Sequence, residues 1–425
     1  METHPTPTDH SIPTPLKPAR IGHLSGFGCR AAPFRKHPPT WRRPVIGIGV
    51  LVAFLPLLSG CSSNTEDDIV DTGSTDTAPM DGGDAPASLP SLDALSDGWN
   101  ELFPGGDTIC ARGGPFSFFV HPGKVDKVVV DFMGGGACWS AVSCAENTDT
   151  FYFYDTVDPV REAVMEGTLS GVGKLDGIYN RSRDDNPFKD WHHVVIPYCT
   201  GDLHWGDNSQ DYGDIRIEHR GAVNARSVLQ WIYDNFTAPE QIFVTGCSAG
   251  SYGSILWSAY VMEHYPNTDV IQFGDSGAGV TTPDFFDNGF LSWNGEAAYP
   301  DWIPALDPET HNILFPDIYI GIADHYPDNF LSQFNYTFDG AQYFYFSEMG
   351  GGDKETFTAD MMDSFEKIES SASNFAVFVP AGTGHCILLF EAFYTLNADG
   401  TLFADWLREL ITTGAVNSVI ETAGE

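Results

Sequence analysis

Positive charge is what this chain has least of. Lys and Arg number 21 against 58 Asp and Glu, a formal net of −37 over 425 residues. Residues 1–60 hold seven of those cations and two of the acids, so the rest of the chain carries 14 against 56, a net of −42. A surface of that sign has no basic patch with which to displace counterions from phosphates, which argues against nucleic acid as a partner. Salt or divalent cations would make it tolerable by screening. Long hydrophobic runs are missing too: the extended apolar stretch at residues 45–58, VIGIGVLVAFLPLL, is too short for a comfortable membrane span. Eight cysteines are present but no C-x-x-C pair, which removes the usual rhythm of a zinc site and favours oxidised pairing in an exported protein.

The apolar stretch follows Arg42 and Arg43 and a leader rich in Pro, Thr and Arg, the pattern of an export signal. It ends in Leu58-Ser59-Gly60-Cys61, which resembles a bacterial lipobox, where the cysteine is lipidated and becomes the new N-terminus. Residues 1–60 are thus expected to be a basic leader and lipoprotein signal peptide, long enough to leave the translation start open. Ser62 after the cysteine favours passage to the outer membrane or cell surface. Residues 61–91 are acidic, rich in Ser, Thr, Asp and Pro and nearly free of aliphatic side chains, so they cannot bury enough apolar area to fold and read as a disordered tether. Residues 92–425 are dense in Trp, Phe and Tyr and long enough for one large core. A monomer attached to a membrane only through Cys61 is the expected architecture.

Within that domain, β-rich runs alternate with amphipathic helical stretches, which predicts an α/β fold: a mainly parallel sheet flanked by helices. Residues 127–133, KVVVDFM, read as a buried strand leading into Gly134-Gly135-Gly136, and residues 193–197 as another. Residues 215–236 show near-helical apolar spacing, 241–245 a strand, and 251–264 a helix. Between the last two lies G-C-S-A-G. Strand, G-x-S-x-G, helix is the context of a nucleophile elbow, in which a strained turn projects the hydroxyl of Ser248 above the sheet edge. A serine nucleophile needs a base, and the base an acid. Of the downstream histidines, His264 sits in the helix after the elbow and His311 and His325 in aromatic, Pro-rich insertions, which leaves His385, just after the strand-like NFAVFVP. His192 and His193 read as the edge of a strand rather than a ligand pair. For the acid, Asp275 and Asp339 are both plausibly placed, and position alone does not choose. Cys138 and Cys144 are close enough to pair locally; the connectivity of Cys110, Cys199, Cys247 and Cys386 cannot be read from the sequence.

MGGGAC with a second cysteine six positions on, IPYCTGDLHWGD, GCSAG, DSG, FDGAQ and GHC, in this order, resemble the pectin acetylesterase family, which includes the Notum-type carboxylesterases. The resemblance runs from about Gly105 to His385. It implies an α/β-hydrolase fold with a serine triad that cleaves carboxylic esters: Ser248 as nucleophile, His385 as base and Asp339, in FDGAQ, as acid. Asp275 then falls in a DSG element near the pocket but outside the triad. The oxyanion donors implied are Gly135, Gly136 and Ala249. Family members often carry Glu before the glycines and Trp after them, where this chain has Met133 and Ala137, so the acyl-side wall is expected to differ. The chemistry needs no metal and no organic cofactor. The substrate implied is an O-acetyl group on a polysaccharide, with a fatty acyl ester on protein or lipid as the rival. A third reading, of another class, is a surface-tethered glycan-binding protein on an inactive hydrolase fold, and the intact serine, histidine and acid argue against it. Acidic pectin would be repelled by a domain near −42 unless salt, calcium or a locally neutral groove intervenes. Trp139 and Trp205, near the motifs, are offered as stacking surfaces for sugar rings or as core.

Overall fold

The structure, a computed structural model, describes residues 88–146, 150–169 and 172–421. The leader, Cys61 and nearly all of the tether lie outside the described residues.

Nine strands make one sheet: β1 (Asn100–Leu102), β2 (Phe118–His121), β3 (Lys127–Phe132), β4 (His192–Ile196), β5 (Gln241–Cys247), β6 (Asp269–Asp275), β7 (Phe330–Phe334), β8 (Phe375–Val379) and β9 (Val419–Ile420). Their spatial order is β1-β2-β4-β3-β5-β6-β7-β8-β9. β1 pairs with β2 and β2 with β4 antiparallel; every other pairing is parallel. The expected parallel α/β sheet is therefore present, with two antiparallel pairings confined to one edge.

The interior strands read as near-continuous apolar runs because helices cover both faces. Alternation along each strand divides the core. Val128, Val130, Phe132, Ile242, Val244 and Val270 pack on one side with helices α1 (Gly221–Asn235), α2 (Ala249–His264), α3 (Phe315–His325) and α5 (Lys354–Ser371). Val129, Phe243, Ile271, Phe273 and Phe378 face the other, against α6 (Phe403–Thr413). A further helix, α4 (Gly340–Glu348), follows β7. Phe243 is fully buried, so truncation to Ala there would cost about 3–5 kcal/mol.

Two local expectations need correction. The helical spacing over residues 215–236 holds only from Gly221. Ile215–His219 is a strand paired antiparallel with Asn208–Tyr212, because I-R-I-E-H alternates with period two and the hairpin outcompetes helix extension. His325 is the last residue of α3 rather than part of an irregular insertion. All six cysteines of the domain are paired, as Cys110–Cys199, Cys138–Cys144 and Cys247–Cys386.

Parallel pairing in register brings the carboxyl ends of the central strands level: Phe132 lies beside Gly246, Cys247 beside Asp275, and Asp275 beside Phe334. The loops that leave these ends carry the chemically interesting side chains, the usual place for a site in an open α/β sheet. Among the described residues no helix is long and apolar enough to cross a membrane.

Candidate active site

Ser248 sits between β5 and α2 with φ 58° and ψ −122°, a left-handed conformation that costs a side chain roughly 1–2 kcal/mol. The surroundings hold it there. Its N–H donates to the carbonyl of Asp275 at 2.8 Å, and its carbonyl accepts from the N–H of Ser251 at 2.9 Å. A side chain at Gly250 would strike the carbonyl oxygen of Phe132, and one at Gly246 would strike Gly250, so both glycines of G-C-S-A-G are demanded by the close approach of α2 to β3 and β5. The Ser248 hydroxyl does not cap the helix it precedes, and it lines the pocket together with His385.

His385 lies in the loop after β8, with Nδ1 2.8 Å from Oδ2 and 3.0 Å from Oδ1 of Asp339. Asp339 is fully buried and caps α4: Oδ1 accepts from the N–H groups of Ala341 and Gln342 at 3.0 Å each, and Oδ2 from Nε2 of Gln342 at 3.0 Å. Gln342 is fixed in turn by accepting the N–H of Ala278 at 2.7 Å. The spacing in FDGAQ thus has a local cause, since carboxylate and amide stand one helical turn apart. Burial works against a charged imidazole at His385, but the Asp339 carboxylate outweighs it, with a smaller contribution from Asp275, and holds the group above its ordinary value.

Asp275 does something else. Its carboxylate accepts from the N–H of Ile387 and of Leu388, each at 2.8 Å, while Ser276 Oγ accepts from the N–H of Cys386 at 2.8 Å. The Asp275-Ser276 pair therefore pins the loop that carries His385, and the Asp275 carbonyl holds the amide of Ser248. Burial pushes the Asp275 carboxyl up to about 7, against the lowering effect of those amides and of the nearby imidazole.

The glycine run lies against the elbow. Gly136 faces Phe153 in a single antiparallel bridge whose hydrogen bonds run from Tyr154 N–H to Gly135 carbonyl (2.8 Å) and from Ala137 N–H to Tyr152 carbonyl (2.9 Å). In that pattern the N–H of Gly136 belongs to neither bond. Its φ of +82° and its approach to Tyr152 admit only glycine. Ala249 opens α2, so its N–H has no acceptor within the helix and sits at the positive end of the helix dipole. Gly136 and Ala249 both line the pocket with Ser248; Gly135 lines its outer part. Donors of this kind are worth roughly 3–4 kcal/mol each toward a developing oxyanion.

The pocket has two arms that meet at Ser248, His385, Gly136 and Tyr345. One, the narrower and less open, is a cleft of about 50 Å³ walled by Ala137, Leu203, Val280, Phe285, Trp293 and Met349. The other is an open groove of about 260 Å³ lined by Met133, Phe151, Tyr154, Val172, Phe344 and Phe390 among others. Ala137 and Met133, the two departures from the family pattern, thus fall on different arms. Trp205 is not a sugar platform: it is buried, its ring N–H donates to the Tyr252 carbonyl at 2.8 Å, and it belongs to the core. Trp139 packs edge-on against Phe285, a wall of the narrow arm. The rings that do line the site went unpredicted, since nothing local in the sequence separates a groove aromatic from a core one. His264 stacks on Tyr233, His311 meets Thr310, and neither they nor His325 lines the pocket. His193 is buried within β4, with Nε2 3.0 Å from Asp131, an oxygen that also accepts from Tyr179.

Residues 105–295 match a family model described as pectinacetylesterase. Pectin acetylesterase 5 of Arabidopsis thaliana is 25% identical over 191 residues, which are 42% of this chain and 41% of that protein. The chain thus spans about two fifths of the length of this curated relative. The structure of the Wnt deacylase Notum from Drosophila superposes with a TM-score of 0.55 at 20% sequence identity, covering 77% of this chain and 97% of that one, which shows a shared fold.

Proposed function

We propose that this chain, whose residues 105–295 match the pectinacetylesterase model and whose fold is shared with a Notum deacylase, is a serine carboxylesterase of that family that removes O-acetyl groups from polysaccharide. The observation that carries the reading is the left-handed Ser248 at the head of α2, sharing a pocket with an imidazole whose other nitrogen is held by buried Asp339. Ser248 Oγ attacks the ester carbonyl and its proton passes to Nε2 of His385, while Asp339 stabilises the imidazolium at Nδ1. Charge on the carbonyl oxygen meets the N–H groups of the glycine run and of Ala249. The alcohol leaves with the proton from Nε2; water, deprotonated by the same nitrogen, then releases acetate from the acyl-serine. The narrow arm supports a short acyl group, since about 50 Å³ holds roughly three to five water-sized groups. Acetate release across a panel of acetylated glycans, with titration by an active-site phosphonate, tests the reading; a chain that neither releases acetate nor takes up the phosphonate is a binding protein instead.

The fatty acyl alternative is favoured by one observation, the apolar lining of the open arm, and requires long-chain esters to turn over faster than acetates.

We also propose that the chain is exported and lipidated at Cys61, with the acidic tether holding the catalytic domain off the membrane; the sequence alone supports this. A soluble exported form of the unaltered gene product, with no acyl mass at its N-terminus, would refute it.

A further inference from the structure

The open arm of the pocket differs from the rest of the molecule in charge. None of its described lining residues is Asp, Glu, Lys or Arg, and the same holds for the narrow arm, in a chain with a net charge of −37. Cations that a substrate carboxylate might recruit are occupied. Among the described residues every lysine and arginine but two is ion-paired with a carboxylate. Arg181 bonds the Trp191 carbonyl, and Lys354 lies over the Tyr343 ring. With no acid in its lining the groove does not itself repel a polyuronate, but each carboxylate laid along it would lose water and meet no counter-charge, on a domain whose net charge is strongly negative.

What the groove does offer is flat apolar surface with few polar groups, the general make-up of a small-molecule site. Phe151 and Val172 stand at its rim and are each 56% exposed, large apolar side chains left facing solvent at the mouth of a site. Tyr154 adds a ring whose hydroxyl makes no hydrogen bond among the described residues, and Phe344 and Phe390 extend the aromatic lining. Pyranose rings present apolar C–H faces to such rings and hydroxyls to such a phenol. With the short acyl group in the narrow arm, as the esterase reading has it, the larger, alcohol part of the ester has the open arm to occupy.

We propose that the open groove is the seat of the alcohol part of the ester and that it takes an uncharged glycan, a neutral sugar chain, rather than a polyuronate. Phe151, Tyr154 and Val172 are then specificity-determining residues. The inference rests on the esterase reading above.

The test compares kcat/KM for acetate release from an acetylated neutral glycan and from acetylated polygalacturonate at matched acetyl content, at about 0.01 M and 0.1 M salt, with phenyl acetate as the small neutral ester. The neutral glycan is expected to be preferred by at least about tenfold at low salt and still preferred at high salt, where screening weakens repulsion but supplies no contact. Val172→Lys, at an exposed position, places a cation on the rim; it should narrow the preference by about threefold or more at low salt and less at high salt. Equal or faster turnover of the acidic glycan overturns the proposal, as does an unchanged preference in Val172→Lys. Faster turnover of p-nitrophenyl decanoate than of the acetate also overturns it, by putting an acyl chain in the groove. Failure to hydrolyse phenyl acetate strikes the esterase reading instead. In that case calorimetric binding of the two glycans decides the groove: tighter binding of the neutral one upholds it, and tighter or equal binding of the acidic one overturns it.

Discussion

Cys247 and Cys386 are joined by a disulfide, and each is the chain neighbour of a residue of the proposed triad: Cys247 precedes Ser248, and Cys386 follows His385. One covalent bond therefore ties the turn that carries Ser248 to the loop that carries His385. The same two loops are joined a second time by Asp275, through its carbonyl to Ser248 and its carboxylate to Ile387 and Leu388.

Breaking that bond should therefore damage turnover as well as stability. The span of 139 residues corresponds to about 5 kcal/mol in the chain-entropy treatment. The double variant Cys247→Ser, Cys386→Ser is expected to melt well below the parent and, at temperatures where near-UV circular dichroism shows it folded, to lose about tenfold or more in kcat with a smaller change in KM. Unchanged kcat would mean that Asp275 and Ser276 hold the base loop unaided.

Ser248→Ala should leave the fold intact and lower hydrolysis of phenyl acetate by at least about a thousandfold, because no acyl-enzyme can form. Turnover above that of a mock preparation would remove Ser248 from the mechanism.

The two aspartates should differ in kind. Asp339→Asn replaces the partner of Nδ1 and is expected to lower kcat by roughly a hundredfold to ten-thousandfold. Asp275→Asn keeps a carbonyl oxygen for the loop amides and should retain more activity with a lower melting temperature. The opposite ranking of rates would make Asp275 the acid.

The pH profile follows from the raised imidazole. His385 must be neutral to accept the serine proton, so kcat/KM rises as that proton is lost, and the acid limb should lie above the ordinary imidazole value of about 6.5. In Asp339→Asn the carboxylate that retains the proton is gone, so the limb should move to lower pH while the plateau falls. A limb that stays in place or moves upward contradicts the assigned pair.

The elbow was legible because everything that makes it lies within one strand, one turn and one helix, and the two glycines are fixed by contacts with β3 and their own turn. The sheet was legible for a similar reason, as apolar runs such as those of β3 and β5 declare strands buried on both faces. The acid was not. Asp275 ends a strand and Asp339 follows one, and only the long-range fold turns the first toward the amides of Ile387 and Leu388 and the second toward Nδ1; the family resemblance, not position, separated them. The pairing of Cys247 with Cys386 was illegible because it joins loops from β5 and β8, strands that are not neighbours in the sheet. Trp205 stayed open between sugar platform and core because a tryptophan beside a motif looks the same whether its ring faces solvent or, as here, is buried in the core.

Leu203, Ser248, Ser276 and Cys386 are all non-glycine residues in the left-handed region, with φ between 58° and 62°, and all four line the pocket. Strain of roughly 1–2 kcal/mol at each such residue is a sizeable part of the 5–15 kcal/mol by which a typical domain is stable. It follows that this domain is less robust than its fold permits, and that the shortfall is concentrated where the chemistry is. Ser248→Gly should melt higher than Ser248→Ala, because glycine accepts the turn without protest while alanine inherits the strain. A descendant that gave up catalysis and merely held its ligand would be free to relax these positions, and would become the hardier molecule by doing so.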